Sequence, residues 1–425
     1  MMTYNEVLKE INSKIKFGVK PGLERIKKLL DLLGNPQDKL KFIHVAGTNG
    51  KGSVCKMLSL ILSNASYKTG LFISPYVLDF RERFQINNEM ISKEELVILF
   101  EEVKPLLKIL ESSGDYLTEF ELITAIAFLW FFKKKCDIVV LETGLGGRLD
   151  ATNVIPYSIL SVITSISFDH VNVLGDSLEK IAFEKAGILK NNGKLVLYEQ
   201  DEISTYNTIK RIASQKKCEV ILTNLNNFKI ISESIFGTKF TYKGQKYFLN
   251  LCGRHQIKNV AVVFSVIENL KGFNITYDNI SSALKNINFP ARFDVISIEP
   301  LIVIDGAHNL DSISKLKDNI KKFFKGKKII GLTSMLKDKD VNNSLKEILP
   351  LISDLVVTQV NNPRSLKDFE IFKISKSYCK SVFKEKNTDL ALKKVFSLCS
   401  SDSVILIFGS LYLASEIYSL LKNKS

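Results

Sequence analysis

The stretch KFIHVAGTNGKGS, residues 41–53, decides the fold of this chain. Residues 41–46 form a short apolar run bounded by glycine, which is typical of a buried strand. Residues 47–53 are rich in glycine, and a helical spacing of apolar residues follows at 54–65. Backbone N–H groups in such a loop, together with the N-terminus of the next helix, bind phosphate oxygens. The stretch therefore predicts a strand, a phosphate-binding loop and a helix.

Consecutive residues of this loop are the candidate nucleotide ligands: Asn49, Gly50, Lys51, Gly52 and Ser53. Lys51 would reach the β- and γ-phosphates of a bound nucleotide as a point charge. The loop departs from the standard G-x-x-x-x-G-K-[ST] pattern, because Gly52 separates Lys51 from Ser53 and the first glycine lies too close to the lysine. The order of strand, loop and helix still favours a phosphate site over a glycine-rich turn without a ligand.

Strands and helices alternate along the rest of the chain. Apolar runs at 69–73, 137–142 and 160–166 predict further strands, and segments of helical spacing lie between them. This alternation indicates an α/β fold with a mainly parallel sheet. The segment 288–290, which contains a proline, interrupts the pattern, and a new apolar strand begins at Leu301.

The interruption divides the chain into two predicted domains. We predict an N-terminal parallel-sheet domain of the P-loop ATPase type at 1–293. A smaller, Rossmann-like α/β domain is predicted at 294–425, a length sufficient for such a unit.

Composition excludes several classes of protein. The chain has 425 residues, 45% apolar and 24% charged, which is ordinary for a globular protein and excludes a disordered or fibrous one. Its longest apolar stretch, residues 122–132, is shorter than the roughly 20 residues that a membrane span needs. The 6 cysteines include no C-x-x-C pair, which indicates reduced thiols. We expect a cytoplasmic protein without a membrane anchor.

The net charge of +14 has three possible explanations. A basic surface can bind nucleic acid, but the basic residues are mostly lysines spread singly or in short groups, without an aromatic-basic RNA signature. A solvated lysine-rich surface is the simpler explanation, and attraction of a small polyanionic substrate is the next. We therefore predict no nucleic-acid partner.

Polar side chains follow two of the predicted strands. Glu142 ends a strand at the edge where open α/β sheets bind ligands, and a carboxylate facing a phosphate loop is a natural Mg²⁺ ligand. His170 lies just past the next strand, where its imidazole would be another metal ligand. The G-x-G after Glu142 weakly suggests a dinucleotide site, but Leu149 occupies the place of the third glycine.

A further polar cluster lies in the predicted C-terminal domain. Asp305, His308 and Asn309 follow an apolar strand directly. A turn alone does not require three polar side chains that can act as acids, bases or ligands. Arg292 stands beside the interruption between the domains, where it would reach either one. Lys185, by contrast, has the pattern of an ordinary helix lysine.

These motifs resemble those of folylpolyglutamate synthase and of the bifunctional dihydrofolate synthase/folylpolyglutamate synthase, in the Mur ligase superfamily. The resemblance covers nearly the whole chain, and its most specific segments are GTNGKGS at 47–53 and GLGGRLDATN at 144–153. It implies a Mur ligase-like fold and an ATP-dependent amide ligase. The other matching segments are 22–26, 33–37, 73–75, 169–170, 184–188, 255–256 with Asn259, 292–293, 305–309 and 409–413.

The resemblance implies ligands for two Mg²⁺ ions. Ser74, Glu142 and His170 would hold magnesium, and Lys185 matches the family's carbamylated lysine. Carbamylation would convert its ammonium into an anionic oxygen ligand for the second ion. One position departs from the family pattern, because Tyr76 stands where many relatives have histidine, near the folate and the metal.

The resemblance also implies nucleotide, catalytic and folate residues. Asn259, Arg292 and Asp305 would join the loop in contacting ATP. The implied catalytic residues are Lys51, Lys185, Asp305 and His308. The pterin-bearing substrate would lie near two segments, Thr118, Glu119, Phe120 and Glu121 in the first and Leu149, Asp150 and Ala151 in the second.

The family's reaction gives these groups their roles. The substrate carboxylate attacks the γ-phosphate of ATP to form an acyl phosphate, and the amine of L-glutamate then displaces phosphate to leave an amide. His308 or Asp305 would accept the proton of the amine. Two acceptors fit, dihydropteroate and a reduced folate that gains γ-linked glutamate, and the segments near the pterin favour including dihydropteroate. We expect a monomer.

Two other classes of protein compete with this interpretation. A Mur-type cell-wall ligase shares the chemistry but carries a UDP-binding N-terminal domain, for which a loop beginning at Gly47 leaves no room. A P-loop switch or nucleic-acid ATPase would suit the basic charge and would bind with a steep salt dependence. It would not need the DGAHN segment at 305–309 in a second domain.

Overall fold

The computed structural model describes residues 2–18 and 20–422 and divides into two compact units. The first unit contains the residues up to Ile166, Leu174–Leu225 and Lys258–Ala283. The second contains Ser167–Val173, Asn226–Ile257 and the residues from Leu284 onward. The boundary predicted between residues 293 and 294 stays a prediction.

An eight-stranded sheet forms the centre of the first unit. Its strand order is β4-β3-β2-β5-β1-β6-β7-β8. Strands β2, β5, β1, β6, β7 and β8 run parallel to one another, whereas β3 pairs antiparallel with β2 and with β4 at one edge of the sheet. The strands are β1 Phe42–Ala46, β2 Thr69–Phe72, β3 Phe84–Ile86, β4 Glu89–Met90, β5 Ile138–Glu142, β6 Leu160–Ile163, β7 Lys194–Leu197 and β8 Glu219–Leu222. The helices of this part are α1 Tyr4–Ser13, α2 Glu24–Leu32, α3 Lys51–Asn64, α4 Lys93–Ser112, α5 Glu119–Lys133, α7 Leu178–Ala186 and α8 Ile203–Gln215.

The register of the central strands aligns the loops that carry the predicted chemistry. In β1, Val45 pairs with Glu142 of β5 and Ala46 pairs with Ile163 of β6. Because these strands are parallel, the segments after β1, β5 and β6 leave the sheet at the same edge. Every residue of β1 and β5 is buried, as the apolar runs predict.

Helix packing completes the core of the first unit. Val7, Leu29 and Phe100, from α1, α2 and α4, belong to one buried cluster with Phe128 of α5. Helix α5 is buried along most of its length, which explains why its sequence is apolar on all sides. On the described chain, no helix combines the length and the hydropathy that a membrane span requires.

The second unit contains a six-stranded sheet of order β12-β13-β17-β14-β15-β16 and an antiparallel sheet of order β11-β10-β9. In the larger sheet only the edge strand β12 is antiparallel. A hairpin turn containing Gly244 joins β10 to β11, and the positive φ of Gly244, 83°, suits the turn. The α/β fold with mainly parallel sheets is therefore confirmed in both units.

The bounds of the remaining elements are as follows. The strands are β9 Phe228–Ser234, β10 Gly237–Tyr242, β11 Gln245–Leu249, β12 Asp294–Ile298, β13 Leu301–Ile304, β14 Lys328–Thr333, β15 Asp354–Val357, β16 Ser381–Lys384 and β17 Ser403–Phe408. The helices of the second unit are α11 Leu310–Phe323, α12 Val341–Ile348, α13 Asp368–Ser375, α14 Thr388–Ser397 and α15 Leu411–Lys422. Three helices carry residues of both units: α6 Val171–Leu174, α9 Arg254–Asn269 and α10 Tyr277–Asn286.

Candidate active site

The glycine-rich loop after β1 has a conformation that its sequence requires. Gly47 has φ 148° and Gly50 has φ 87°, a region that side chains disfavour. A Cβ atom on Gly47 would lie 1.8 Å from Oγ1 of Thr164, and one on Gly50 would lie 2.5 Å from Oδ1 of Asn259. Positions 47 and 50 therefore accept only glycine, and the predicted ATP ligand Asn259 lies beside the loop.

Lys51 begins α3 and lies beside a buried carboxylate. Its Nζ donates to the carbonyl of Thr48 at 3.1 Å and lies 4.0 Å from Oε1 of Glu142. Glu142 is 4% exposed, and its Oε2 accepts the backbone N–H of Ser74 at 3.3 Å. Lys51 and Glu142, which the motifs predict, and Ser74, which the family resemblance implies, are thus neighbours in the first unit.

Lys185 also lies at the phosphate loop, although its sequence pattern is that of an ordinary helix lysine. The side chain is buried, and its Nζ donates to the carbonyl of Gly47 at 2.7 Å. The position follows from close packing at the end of α7, where the backbone N–H of Arg148 donates to the carbonyl of Glu184 at 2.7 Å. A Cβ on Gly147 would lie 2.8 Å from the carbonyl oxygen of Lys185, so glycine is needed for this approach.

The first predicted folate segment begins α5 and is held by local pairs. Thr118 and Glu121 form a capping box, and Glu121 also pairs with Arg25 at 3.0 Å. Glu119 pairs with Arg83 at 2.8 Å. The guanidinium of Arg83 lies 5.1 Å from the ring centre of Tyr76, the residue that departs from the family pattern.

The second predicted folate segment lies against the first. The ring of Phe120 contacts Gly144, where an added Cβ would be 2.4 Å from the ring. Asp150 is 4% exposed, and its carboxylate accepts N–H groups of Leu145 and Thr152 at 2.8 and 3.0 Å. Leu149 and Ala151 flank this buried carboxylate, half-buried and buried respectively.

In the second unit, Asp305 lies at the end of β13. Its carboxylate accepts the backbone N–H groups of Phe293 and Ala307 at 2.9 and 2.7 Å. Burial raises the pKa of Asp305 to about 6, against the opposing effects of Arg292 and of these two hydrogen bonds. Arg292 itself stacks on Phe289, with 5.0 Å between the guanidinium carbon and the ring centre.

His308 is a neutral imidazole with an assignable tautomer. Its Nδ1 lies 2.8 Å from the carbonyl oxygen of Gly306, which only accepts, so Nδ1 carries the proton and Nε2 carries the lone pair. Burial lowers the pKa of His308 to about 4, and the positive charge of Lys339 adds to this effect. Nε2 lies 4.0 Å from Oδ2 of Asp169.

His170 belongs to the second unit together with a lysine that sequence reasoning missed. The side chain of Lys339 is 3% exposed, and its Nζ lies 2.5 Å from Oδ1 of Asp169 and 3.3 Å from Nε2 of His170. Burial lowers the pKa of His170 to about 4, and Nδ1 faces Asp338 at 3.7 Å. The available signal was the charge run KDKD at 337–340, which begins shortly after the end of β14.

The donors present suit a hard cation. Glu142 supplies a buried carboxylate and Ser74 a neighbouring hydroxyl residue, and oxygen ligands are the ones that Mg²⁺ prefers. Within residues 2–18 and 20–422, no three or more His, Cys, Asp or Glu side chains gather at metal-binding spacing.

Comparison with known proteins defines the class of enzyme to which this chain belongs. The family model described as Mur ligase middle domain matches residues 45–267, and the model described as Mur ligase, glutamate ligase domain matches residues 291–411. The fold and the phosphate loop are thus those of a Mur ligase, and the enzyme is a ligase.

Individual relatives define the family more narrowly. The dihydrofolate synthase/folylpolyglutamate synthase of Bacillus subtilis is 35% identical over 99% of both chains. The dihydrofolate synthetase of Saccharomyces cerevisiae is 32% identical over 93% of this chain and 96% of its own. The folylpolyglutamate synthase of Mycobacterium tuberculosis, solved with ADP and AMPPCP, has a TM-score of 0.90 at 29% identity over 98% of both chains. The chain belongs to the folylpolyglutamate synthase and dihydrofolate synthase family, as the sequence motifs predict.

Proposed function

We propose that this protein joins L-glutamate to dihydropteroate and to reduced folates, with ATP as the second substrate and an acyl phosphate as the intermediate. The observation that carries the proposal is the grouping of Lys51, Glu142 and Lys185 around one glycine-rich loop. The relatives named for both activities, which match this chain over nearly its whole length, support both acceptors.

Phosphoryl transfer is the step that the first unit serves. Asn49, Gly50, Gly52 and Ser53 line the loop and would bind the phosphates through backbone N–H groups and the start of α3. Lys51 would neutralise the charge that develops on the transferred group. In such a site Mg²⁺ neutralises and orients phosphate oxygens, and the residues that would hold two such ions are Ser74, Glu142, His170 and carbamylated Lys185.

Amide formation requires a neutral glutamate amine. We assign the acceptance of its proton to His308, because its Nε2 lone pair remains available while Nδ1 donates to Gly306. Asp305 is the other candidate and has the higher pKa of the two, although both of its oxygens already accept backbone N–H groups. We assign Asp305 instead to nucleotide binding, together with Arg292 and Asn259.

The folate would be bound by the two segments that meet at Phe120 and Gly144. Within them, the buried carboxylates of Glu121 and Asp150 are engaged locally, which leaves main-chain groups and the side chains of Phe120 and Leu149 to face a ligand. We also propose that the enzyme is a cytoplasmic monomer that binds no nucleic acid. Its mass by light scattering and cell fractionation test these points.

The test of function is phosphate release from ATP with Mg²⁺ and L-glutamate, using dihydropteroate, tetrahydrofolate or no acceptor. Release with both acceptors is expected. Release with tetrahydrofolate alone would restrict the enzyme to polyglutamate synthesis. Equal ATP turnover without any acceptor would overturn the proposal, and salt-dependent binding to DNA or RNA would then support the nucleic-acid ATPase.

A further inference from the structure

A line of buried polar groups runs behind the second folate segment, inside the first unit. Nε2 of His44, in the middle of β1, lies 2.8 Å from Oγ1 of Thr152, and that hydroxyl lies 2.5 Å from Oδ1 of Asp150. His44 and Thr152 are fully buried, and Asp150 is 4% exposed. Burying polar groups in such a core costs free energy unless they are hydrogen-bonded, so the hydrogen bonds along this line are needed to keep the three side chains inside the protein.

The line has a defined direction. The carboxylate of Asp150 accepts, so the hydroxyl of Thr152 donates to it and can only accept from His44. Nε2 of His44 therefore carries the proton, and burial holds the pKa of His44 well below its usual value, which keeps the ring neutral. Its Nδ1 is buried and has no hydrogen-bond partner among the described residues.

The end of the line organises the loop that carries the second folate segment. Besides the hydroxyl of Thr152, Asp150 accepts the backbone N–H groups of Leu145 and Thr152. These bonds close the turn from the segment after β5 to the short 3₁₀ helix Ala151–Val154, at which Asp150 is the N-cap. The loop is thereby tied to β1, a strand held by neighbours on both sides.

We propose that His44 and Thr152 are positioning residues of the folate site, acting through Asp150 on the main chain of Leu149 and Ala151. The inference rests on the proposed function, which assigns that main chain to the pterin-bearing substrate. The line is separate from the contacts that Lys51 and Lys185 make with the phosphate loop. Its loss therefore weakens acceptor binding and leaves nucleotide binding intact.

Thr152→Val is the direct test, because it removes the hydroxyl and keeps the shape. We expect the KM for dihydropteroate to rise about tenfold, as for loss of one buried hydrogen bond to a charged group, with the KM for ATP within about twofold of wild type. Thr152→Ser restores the hydroxyl and should restore the KM. His44→Gln keeps an N–H donor and should be milder than His44→Met, which has none.

Thr358→Val is the matched control, since Thr358 is equally buried and its hydroxyl donates to the main chain of Lys386 at 3.2 Å in the second unit. It should lose stability without a change in either KM. An unchanged dihydropteroate KM in Thr152→Val, or an equal rise for ATP, would overturn the positioning role alone. A wild-type enzyme that ignores every pteroate acceptor would instead overturn the proposed function and this inference with it.

Discussion

Replacing Gly187 by alanine should destabilise the protein, although the backbone conformation of Gly187 by itself predicts that alanine would stabilise it. Gly187 ends α7 with φ −59° and ψ −19°, a helical conformation open to any residue. Alanine in place of glycine there would gain up to about 1 kcal/mol of helix propensity. The tertiary packing reverses the sign.

The steric cost follows from the neighbouring loop. A Cβ on Gly187 would lie 2.3 Å from Cβ and 2.4 Å from Cα of Arg148, about 1 Å closer than ordinary contact. Relief requires the loop and the end of α7 to separate by that amount, which breaks the 2.7 Å bond from the N–H of Arg148 to the carbonyl of Glu184. Overpacking costs about 1–3 kcal/mol and a lost hydrogen bond about 1 kcal/mol, and the helix propensity of alanine offsets about 1 kcal/mol, so we expect a net loss of roughly 1–3 kcal/mol.

Urea unfolding followed by circular dichroism measures this loss. Gly272→Ala is the control, because Gly272 has φ 82° and open space, so alanine there carries backbone strain without a clash. Since Lys185 lies two residues before Gly187, kcat/KM should fall at least about tenfold in Gly187→Ala and stay near wild type in the control. A Gly187→Ala protein as stable as wild type would refute the packing argument, and normal activity would refute the link to Lys185.

Three further predictions concern the charged groups. Lys51→Met should lower acceptor-dependent ATP turnover about a hundredfold or more with a native circular dichroism spectrum, because it removes the charge on the phosphates; near-normal turnover would exclude this role. The pKa of Asp305 rises from 3.8 to about 6 on folding, so the folded state keeps a proton that the unfolded state has lost, and stability falls as pH rises from about 4 to about 6, by up to about 3 kcal/mol. Asp305→Asn should remove this contribution, so its difference from wild type in urea midpoint must change across that pH range; a constant difference would contradict the raised pKa. Wild-type protein kept in ¹³C-bicarbonate should show a carbamate carbonyl resonance that Lys185→Arg lacks, and the same resonance in both would place carbamylation elsewhere.

Local sequence determined the elements and the phosphate loop. The glycines at 47 and 50 adopt positive φ angles that glycine tolerates best, and the apolar run before them is buried at every position of β1, so the local sequence pattern was enough to predict both features. Parallel register then allowed the prediction that polar groups at the ends of β1 and β5 come together, and Lys51 does lie beside Glu142. The short edge strands β3 and β4 gave no comparable pattern, because two or three residues are too few to establish a period.

Only the tertiary structure decided which side chains that are distant in sequence form hydrogen bonds or ion pairs. His44 and Thr152 are 108 positions apart, and Lys339 and Asp169 are 170 apart, so no local spacing relates either pair. Lys185 has the pattern of a surface lysine, yet close glycine packing buries it against the phosphate loop. Periodicity reports which face of an element is apolar, whereas a buried polar contact depends on which elements the sheet order makes neighbours.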